Sequence, residues 1–144
     1  MAADRPDTID ALSESLVRAS WRLRRNERKE LAPFGLTFAQ ARALRVLSAA
    51  GAGMRIGELA DRLEIVPRSA TTMVDGLEGA GLVARSVDPA DRRSVLVTCS
   101  AQGEDLIARL AEERRAGAET LFAPLSPEER EKLLRLLRSI TSEL

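Results

Sequence analysis

The chain has 144 residues, the length of one domain or of one domain with an oligomerisation arm, and its 44% hydrophobic and 31% charged composition describes a chain that folds around a core rather than a disordered or fibrous one. There is no histidine and only one cysteine, Cys99, which removes imidazole bases, histidine metal ligands and any intrachain disulfide, and fits a reducing compartment. Lys+Arg 22 against Asp+Glu 22 gives a net charge of zero, which speaks against non-specific coating of polyanions.

The first ten residues carry Asp4 and Asp7 and lack a basic start followed by an apolar run, so no signal peptide is expected. Arg42, Arg45 and Arg55 interrupt the most apolar region, so no membrane span and no membrane partner is expected, and the expected location is cytoplasmic. From Thr8 to about Leu31, apolar residues Ile9, Leu12, Leu16, Ala19 and Leu23 recur at spacings of three and four, which predicts a helix with one apolar stripe. Arg18, Arg22, Arg25 and Lys29 line the opposite face, as a solvated row beside Glu14 and Glu27 would. Pro33 and Gly35 end this helix.

A second helix is predicted from Thr37 to about Ser48, opened by a capping box of Thr37 and Gln40. Ile56, Leu59, Ala60 and Leu63 mark a short third helix, and Pro67 starts a fourth that carries Ala70, Met73, Val74 and Leu77 and closes at Gly79 and Gly81. Two short helices joined through Glu64-Ile65-Val66 form a helix-turn-helix. The β-prone runs 82–85 and 95–98 then flank Asp88-Pro89-Ala90-Asp91-Arg92-Arg93, whose Asp-Pro step favours a turn. A hairpin with adjacent arginines near its tip, placed after a helix-turn-helix, describes a winged helix, and such an arginine suits the negative potential of a narrow minor groove.

Ser100 is placed to cap a fifth helix bearing Leu106, Ile107, Leu110, Leu121 and Phe122. Ser126, Pro127 and Glu129 supply a cap, a first-turn proline and a capping glutamate for a final helix with Leu133, Leu136, Leu137, Ile140 and Leu144 on its face. A compact middle domain cannot cover three terminal apolar stripes, so terminal helices from two chains are expected to pack as a homodimer; the alternative is that they fold on one another within one chain. The expected fold is mainly α with a small β-hairpin, divided into an N-terminal dimerisation helix (1–35), a winged helix-turn-helix (36–99, with the wing at 83–98) and C-terminal dimerisation helices (100–144).

At these residues the chain resembles the MarR family of bacterial transcriptional regulators. The resemblance is carried by Leu36-Thr37, by Gly57-Glu58-Leu59-Ala60, by Val74-Asp75-Gly76-Leu77-Glu78 with Gly81-Leu82-Val83, and by the Asp-Pro-x-Asp-Arg-Arg wing with Val95, Val97 and Gly103. It implies a homodimer that binds a pseudo-palindromic operator in double-stranded DNA, reading the major groove with the helix that begins near Pro67 and the minor groove with Arg93. Asp91 matches the acid that holds that arginine, with Arg92 beside it. Arg68, Ser69, Thr71 and Thr72 fall on the early, groove-facing positions. Arg68 alone can grip guanine O6 and N7 bidentately, while the hydroxyls suit phosphates or base edges and the threonine methyls suit thymine. The chain departs from the family at Thr72 and Gly76, where many members carry arginine, and Gly76 costs a helix about 1 kcal/mol relative to alanine.

Family members that sense peroxide use an N-terminal cysteine with tyrosines, whereas Cys99 lies at the end of a wing strand and tyrosine is absent. Other members bind small aromatic acids. The residues here that suit a small aromatic or anionic effector are Trp21, Arg24, Phe38 and Arg42. No catalytic residue, metal site or cofactor is expected, and Glu58 and Asp61, the only pair worth weighing as catalytic acids, read as solvated carboxylates. The expectation is therefore a ligand-responsive repressor; the alternative is a winged helix used as a protein-interaction module. From 36 to 99, eight arginines face seven carboxylates, so neutrality is nearly as strict within the DNA-binding region as over the chain.

Overall fold

The computed structural model describes residues 6–142 as six α-helices and three strands in the order α1 (Pro6–Leu31), α2 (Phe38–Ala50), β1 (Met54–Arg55), α3 (Ile56–Leu63), α4 (Pro67–Gly79), β2 (Val83–Asp88), β3 (Asp91–Cys99), α5 (Ala101–Phe122) and α6 (Pro127–Thr141). Leu144, expected on the last apolar face, and Asp4 lie outside the described residues. The contacts divide the chain into two compact units, one of residues 1–26 with 113–144 and one of residues 27–112. None of the described helices is long and apolar enough to cross a membrane.

The second unit holds the core. Ala41, Leu44 and Leu47 of α2, Leu59 and Leu63 of α3 and Val74 and Leu77 of α4 converge with Met54, Leu82, Val83 and Val97 of the sheet region and Leu106 and Leu110 of α5. Each helix contributes the residues that its three- and four-residue spacing places on one side, and their removal from water supplies the main favourable term of folding. The ends are fixed locally. Thr37 and Gln40 form a reciprocal capping box at α2, and Ser126 and Glu129 form the same arrangement at α6. The Ser100 hydroxyl accepts the Gly103 N–H at 3.1 Å and donates to the Gly81 carbonyl at 2.7 Å, tying the start of α5 to the end of the helix-turn-helix.

The sheet is larger than the expected hairpin. It has three antiparallel strands in the order β1-β3-β2, with Met54 opposite Val97 and Arg55 opposite Leu96. Two residues are too few to show an alternating pattern, so β1 has no sequence signature; it exists because β3 is long enough to pair on both sides.

Two ion pairs inside this unit tie the end of α1 to other helices. Glu27 is 1% exposed, and its carboxylate accepts from Arg45 Nη2 at 3.2 Å, linking the end of α1 to α2. Arg109 of α5 approaches Glu30 at 3.2 Å. A carboxylate buried this deeply needs its partner, because leaving one charge alone costs several kcal/mol. Glu27 thus does structural work rather than joining the solvated row expected on α1. Glu14 keeps to that row, pairing with Arg18 at 2.9 Å.

In the first unit, α1, α5 and α6 border an apolar groove of about 680 Å³, walled by Leu12, Leu16, Leu23, Leu121, Phe122 and Leu137. Ile9, Leu136 and Ile140 of the same unit stand more than half exposed.

Gly103 marks the tightest approach between α5 and the sheet. A Cβ there would collide with the Leu82 carbonyl and lie 2.6 Å from Cys99 Sγ. The substitution Gly103→Ala is expected to lower stability by about 1–3 kcal/mol through overpacking, read as a shift in the urea midpoint with an unchanged slope.

Candidate nucleic-acid interface

The turn between α3 and α4 is set by Glu64, which sits in the left-handed region at φ 56° and donates its N–H to the Ala60 and Asp61 carbonyls. Val66 then enters α4 in extended conformation with no side-chain cap, and Pro67 occupies the first turn, where its missing N–H costs nothing. Ala70, Val74 and Leu77 bury one side of α4. Arg68, Thr71, Thr72, Asp75 and Gly76, at spacings of three and four, form the exposed side, with Ser69 also exposed.

The threonines do not present their hydroxyl protons outward. Thr71 Oγ1 donates to the Pro67 carbonyl at 3.0 Å and Thr72 Oγ1 to the Arg68 carbonyl at 3.1 Å, each one turn back along α4. Gly76 is explained by its neighbour: a Cβ at that position would lie 2.6 Å from Gln40 Nε2, so the bare backbone makes room for the capping residue of α2.

The wing turn is held from both of its strands. Asp88 Oδ2 accepts from Arg55 Nη2 at 2.7 Å and Nε at 3.2 Å, while Oδ1 accepts the Ala90 N–H at 2.9 Å and fixes the Pro89-Ala90 turn. The hydrogen bond from Arg55 and that from Ala90 hold the Asp88 carboxyl below the usual carboxylate range, and the same contact raises Arg55. At the tip, Asp91 accepts the Arg93 backbone N–H at 3.0 Å and the Ser94 hydroxyl at 3.1 Å. Asp91 therefore shapes the backbone that carries Arg93. The register shifts between Val87 and Asp88, so 92–94 have no paired residue on β2 and both wing arginines sit in the irregular stretch, a feature that re-aims side chains.

Arg85 joins wing and helix. From β2 it reaches Asp75 at 2.5 Å and Glu78 at 2.8 Å, both on α4, and its own pKa rises with the Asp75 hydrogen bond as the main cause. Sequence reasoning missed this contact, although the excess of acid over base along α4 pointed to a need for it.

The near-neutral sum from 36 to 99 is thereby sorted in space. Arg45, Arg55, Arg62 and Arg85 are engaged with Glu27, Asp88, Glu58 and the α4 acids. Arg42 on α2, Arg68 at the start of α4 and Arg92 and Arg93 at the wing tip are exposed and form no ion pair among the described residues. Of the residues considered for an effector, Trp21 and Arg24 belong to the first unit, and Phe38 and Arg42 to the second. Trp21 is exposed, Arg24 borders the apolar groove, Arg28 lies over the Phe38 ring at 5.5 Å from its centroid, and Arg42 is exposed on α2. Burial, with Glu104 nearby, pushes the Cys99 thiol up to about 12, so its reactive thiolate is scarce at neutral pH. Among the described residues no cluster of three or more potential ligands could hold a metal ion.

Because the Asp88 carboxyl titrates below its unfolded value, its contribution to stability is complete above the ordinary carboxylate range and is lost as pH falls through the lowered value. Asp88→Asn is expected to unfold at lower urea than the parent at about pH 7, and the gap is expected to narrow as pH falls below the ordinary carboxylate range. A gap that stays constant across that range would show that Asp88 does not act through its charge.

Comparison with known proteins follows the same lines. The MarR family profile matches residues 36–95, which span the helix-turn-helix and most of the wing. The HTH-type transcriptional repressor Rv2887 of Mycobacterium tuberculosis is 32% identical over 113 residues, covering 78% of this chain and 81% of that protein. A MarR family protein from Bacillus stearothermophilus superposes with a TM-score of 0.77 at 27% identity, covering 98% of each chain. The transcriptional repressor CouR, solved bound to a 23-mer DNA duplex, superposes with a TM-score of 0.70 at 30% identity over 97% of this chain and 99% of that one. With its helix-turn-helix, three-stranded wing region and family-typical wing sequence, the chain belongs to the MarR family and is a helix-turn-helix transcriptional regulator.

Proposed function

We propose that this regulator binds a pseudo-palindromic operator as a homodimer, laying α4 of each protomer in a major groove and Arg93 of each wing in the adjacent minor groove. The observation that carries this reading is the sorting of charge: Arg55, Arg62 and Arg85 are spent on carboxylates of the same unit, while Arg68, Arg92 and Arg93 remain exposed without an ion pair among the described residues. Guanidinium groups left in this state at the start of α4 and at the wing tip are available to phosphates and base edges. That CouR, a repressor this chain resembles, is solved bound to a 23-mer DNA duplex supports double-stranded DNA as the partner.

The dimer is supported by the apolar groove of the first unit and by exposed Ile9, Leu136 and Ile140, a surface that a second copy would cover. Two-fold symmetry then sets the operator's half-sites about one helical turn apart. Repression is the role we assign, by analogy with the repressors the chain resembles. Control by a small aromatic or anionic effector draws its support from Trp21 and Arg24, an indole and a guanidinium one turn apart on α1.

The wing assignment is tested by a mobility-shift titration in salt on the DNA flanking the coding region. Arg93→Ala should weaken binding by about 1–3 kcal/mol and flatten the slope of log affinity against log salt by about one for each arginine removed. Unchanged affinity and slope would reject the wing contact. Sedimentation equilibrium should give twice the 15.7 kDa chain mass, and Leu16→Glu, which places a charge in the groove wall, should shift the mass towards the monomer.

A further inference from the structure

We infer that α4 reads its half-site chiefly through thymine, by packing the Cγ2 methyls of Thr71 and Thr72 against thymine 5-methyl groups. The inference rests on the operator-binding reading above and concerns what that surface selects. The exposed side of α4 consists of Arg68, Thr71, Thr72, Asp75 and Gly76, with Ser69 exposed beside Arg68 in the first turn. Asp75 is occupied by Arg85, and Gly76 has no side chain to offer. Each threonine has given its only hydroxyl proton to a carbonyl of its own helix, at 3.0 Å for Thr71 and 3.1 Å for Thr72. Neither can therefore donate to guanine O6 or N7, adenine N7 or thymine O4 without breaking that bond.

The two branches of a threonine leave the same Cβ. Turning the oxygen back onto the preceding turn leaves the methyl as the group that an exposed residue presents outward. Exposed Val66, immediately before α4, adds apolar surface at the same end. Apart from Arg68 and Ser69 in its first turn, the reading surface is thus methyl-rich and poor in donors. In the major groove only the A·T pair displays a methyl group, so such a surface discriminates through thymine. The hydroxyl lone pairs can still accept from adenine N6 or cytosine N4, a different contact that the test below separates.

The experiment uses the full chain and a duplex selected by it from a randomised pool. Each thymine of the selected half-site is replaced in turn by deoxyuridine, which removes the methyl and keeps every hydrogen-bonding group. At the contacted positions affinity should fall about fourfold per methyl, the effect of uncovering one methyl-sized group. Thr71→Ser and Thr72→Ser, which keep the hydroxyl, should bind the thymine duplex more weakly and lose the preference for thymine over uracil. Thr71→Val and Thr72→Val, which keep a methyl, should retain the preference. Equal binding of thymine and uracil duplexes would overturn the inference and leave operator binding standing. A preference that survives in the serine variants, or disappears in the valine variants, would overturn it too, by assigning the discrimination to another group or to the hydroxyls. Failure of the chain to retain any duplex would overturn the operator reading and this inference with it.

Discussion

The geometry of the candidate DNA-binding surface depends on one contact between two elements that sequence alone presents as independent. Arg85 on β2 binds Asp75 and Glu78 on α4 and so joins the wing to that helix. In stability terms such exposed pairs contribute little, because water and salt screen them. Their effect on the electrostatic surface is larger. Two carboxylates on the helix proposed to enter the groove would repel phosphates, and a guanidinium placed between them offsets half of that charge while tying strand to helix. The pair Arg55–Asp88 ties the wing turn to the residue that precedes α3. Neutralisation within the unit is what allows a chain with no net charge to keep a few arginines exposed where they matter.

Much of this architecture was legible in the residues. Helix starts could be read because caps act over three or four positions: Thr37 with Gln40, Ser126 with Glu129 and Pro67 in a first turn all express local chemistry. The wing was legible because its turn residues and flanking β-prone runs are contiguous. The contacts that organise the site were not. Glu27 meets Arg45 across 18 positions, Arg55 meets Asp88 across 33, and β1 is a strand of two residues made by its partner. No local periodicity encodes such pairings, since they follow from where the chain returns in three dimensions.

The candidate site shows the same division at the level of single side chains. The family resemblance implied that Arg68, Ser69, Thr71 and Thr72 share the groove-facing side of α4, but a threonine carries two chemistries and sequence does not choose between them. The hydrogen bonds back to Pro67 and Arg68 make that choice. Gly76, which by propensity alone would loosen the helix, is instead the place where α4 admits the Gln40 side chain, so the conformational cost is exchanged for close packing between two helices.

The suppressed thiol of Cys99 has a practical consequence. It is the only cysteine in the chain, and its thiolate is scarce near neutral pH because the side chain is partly buried beside Glu104. A cysteine introduced at an exposed site, on the wing tip or along the outer side of α1, would therefore react far ahead of the native one. Spin labels, fluorophores or DNA-tethering groups could be placed singly on the natural sequence background, without first removing a residue that packs against Gly103.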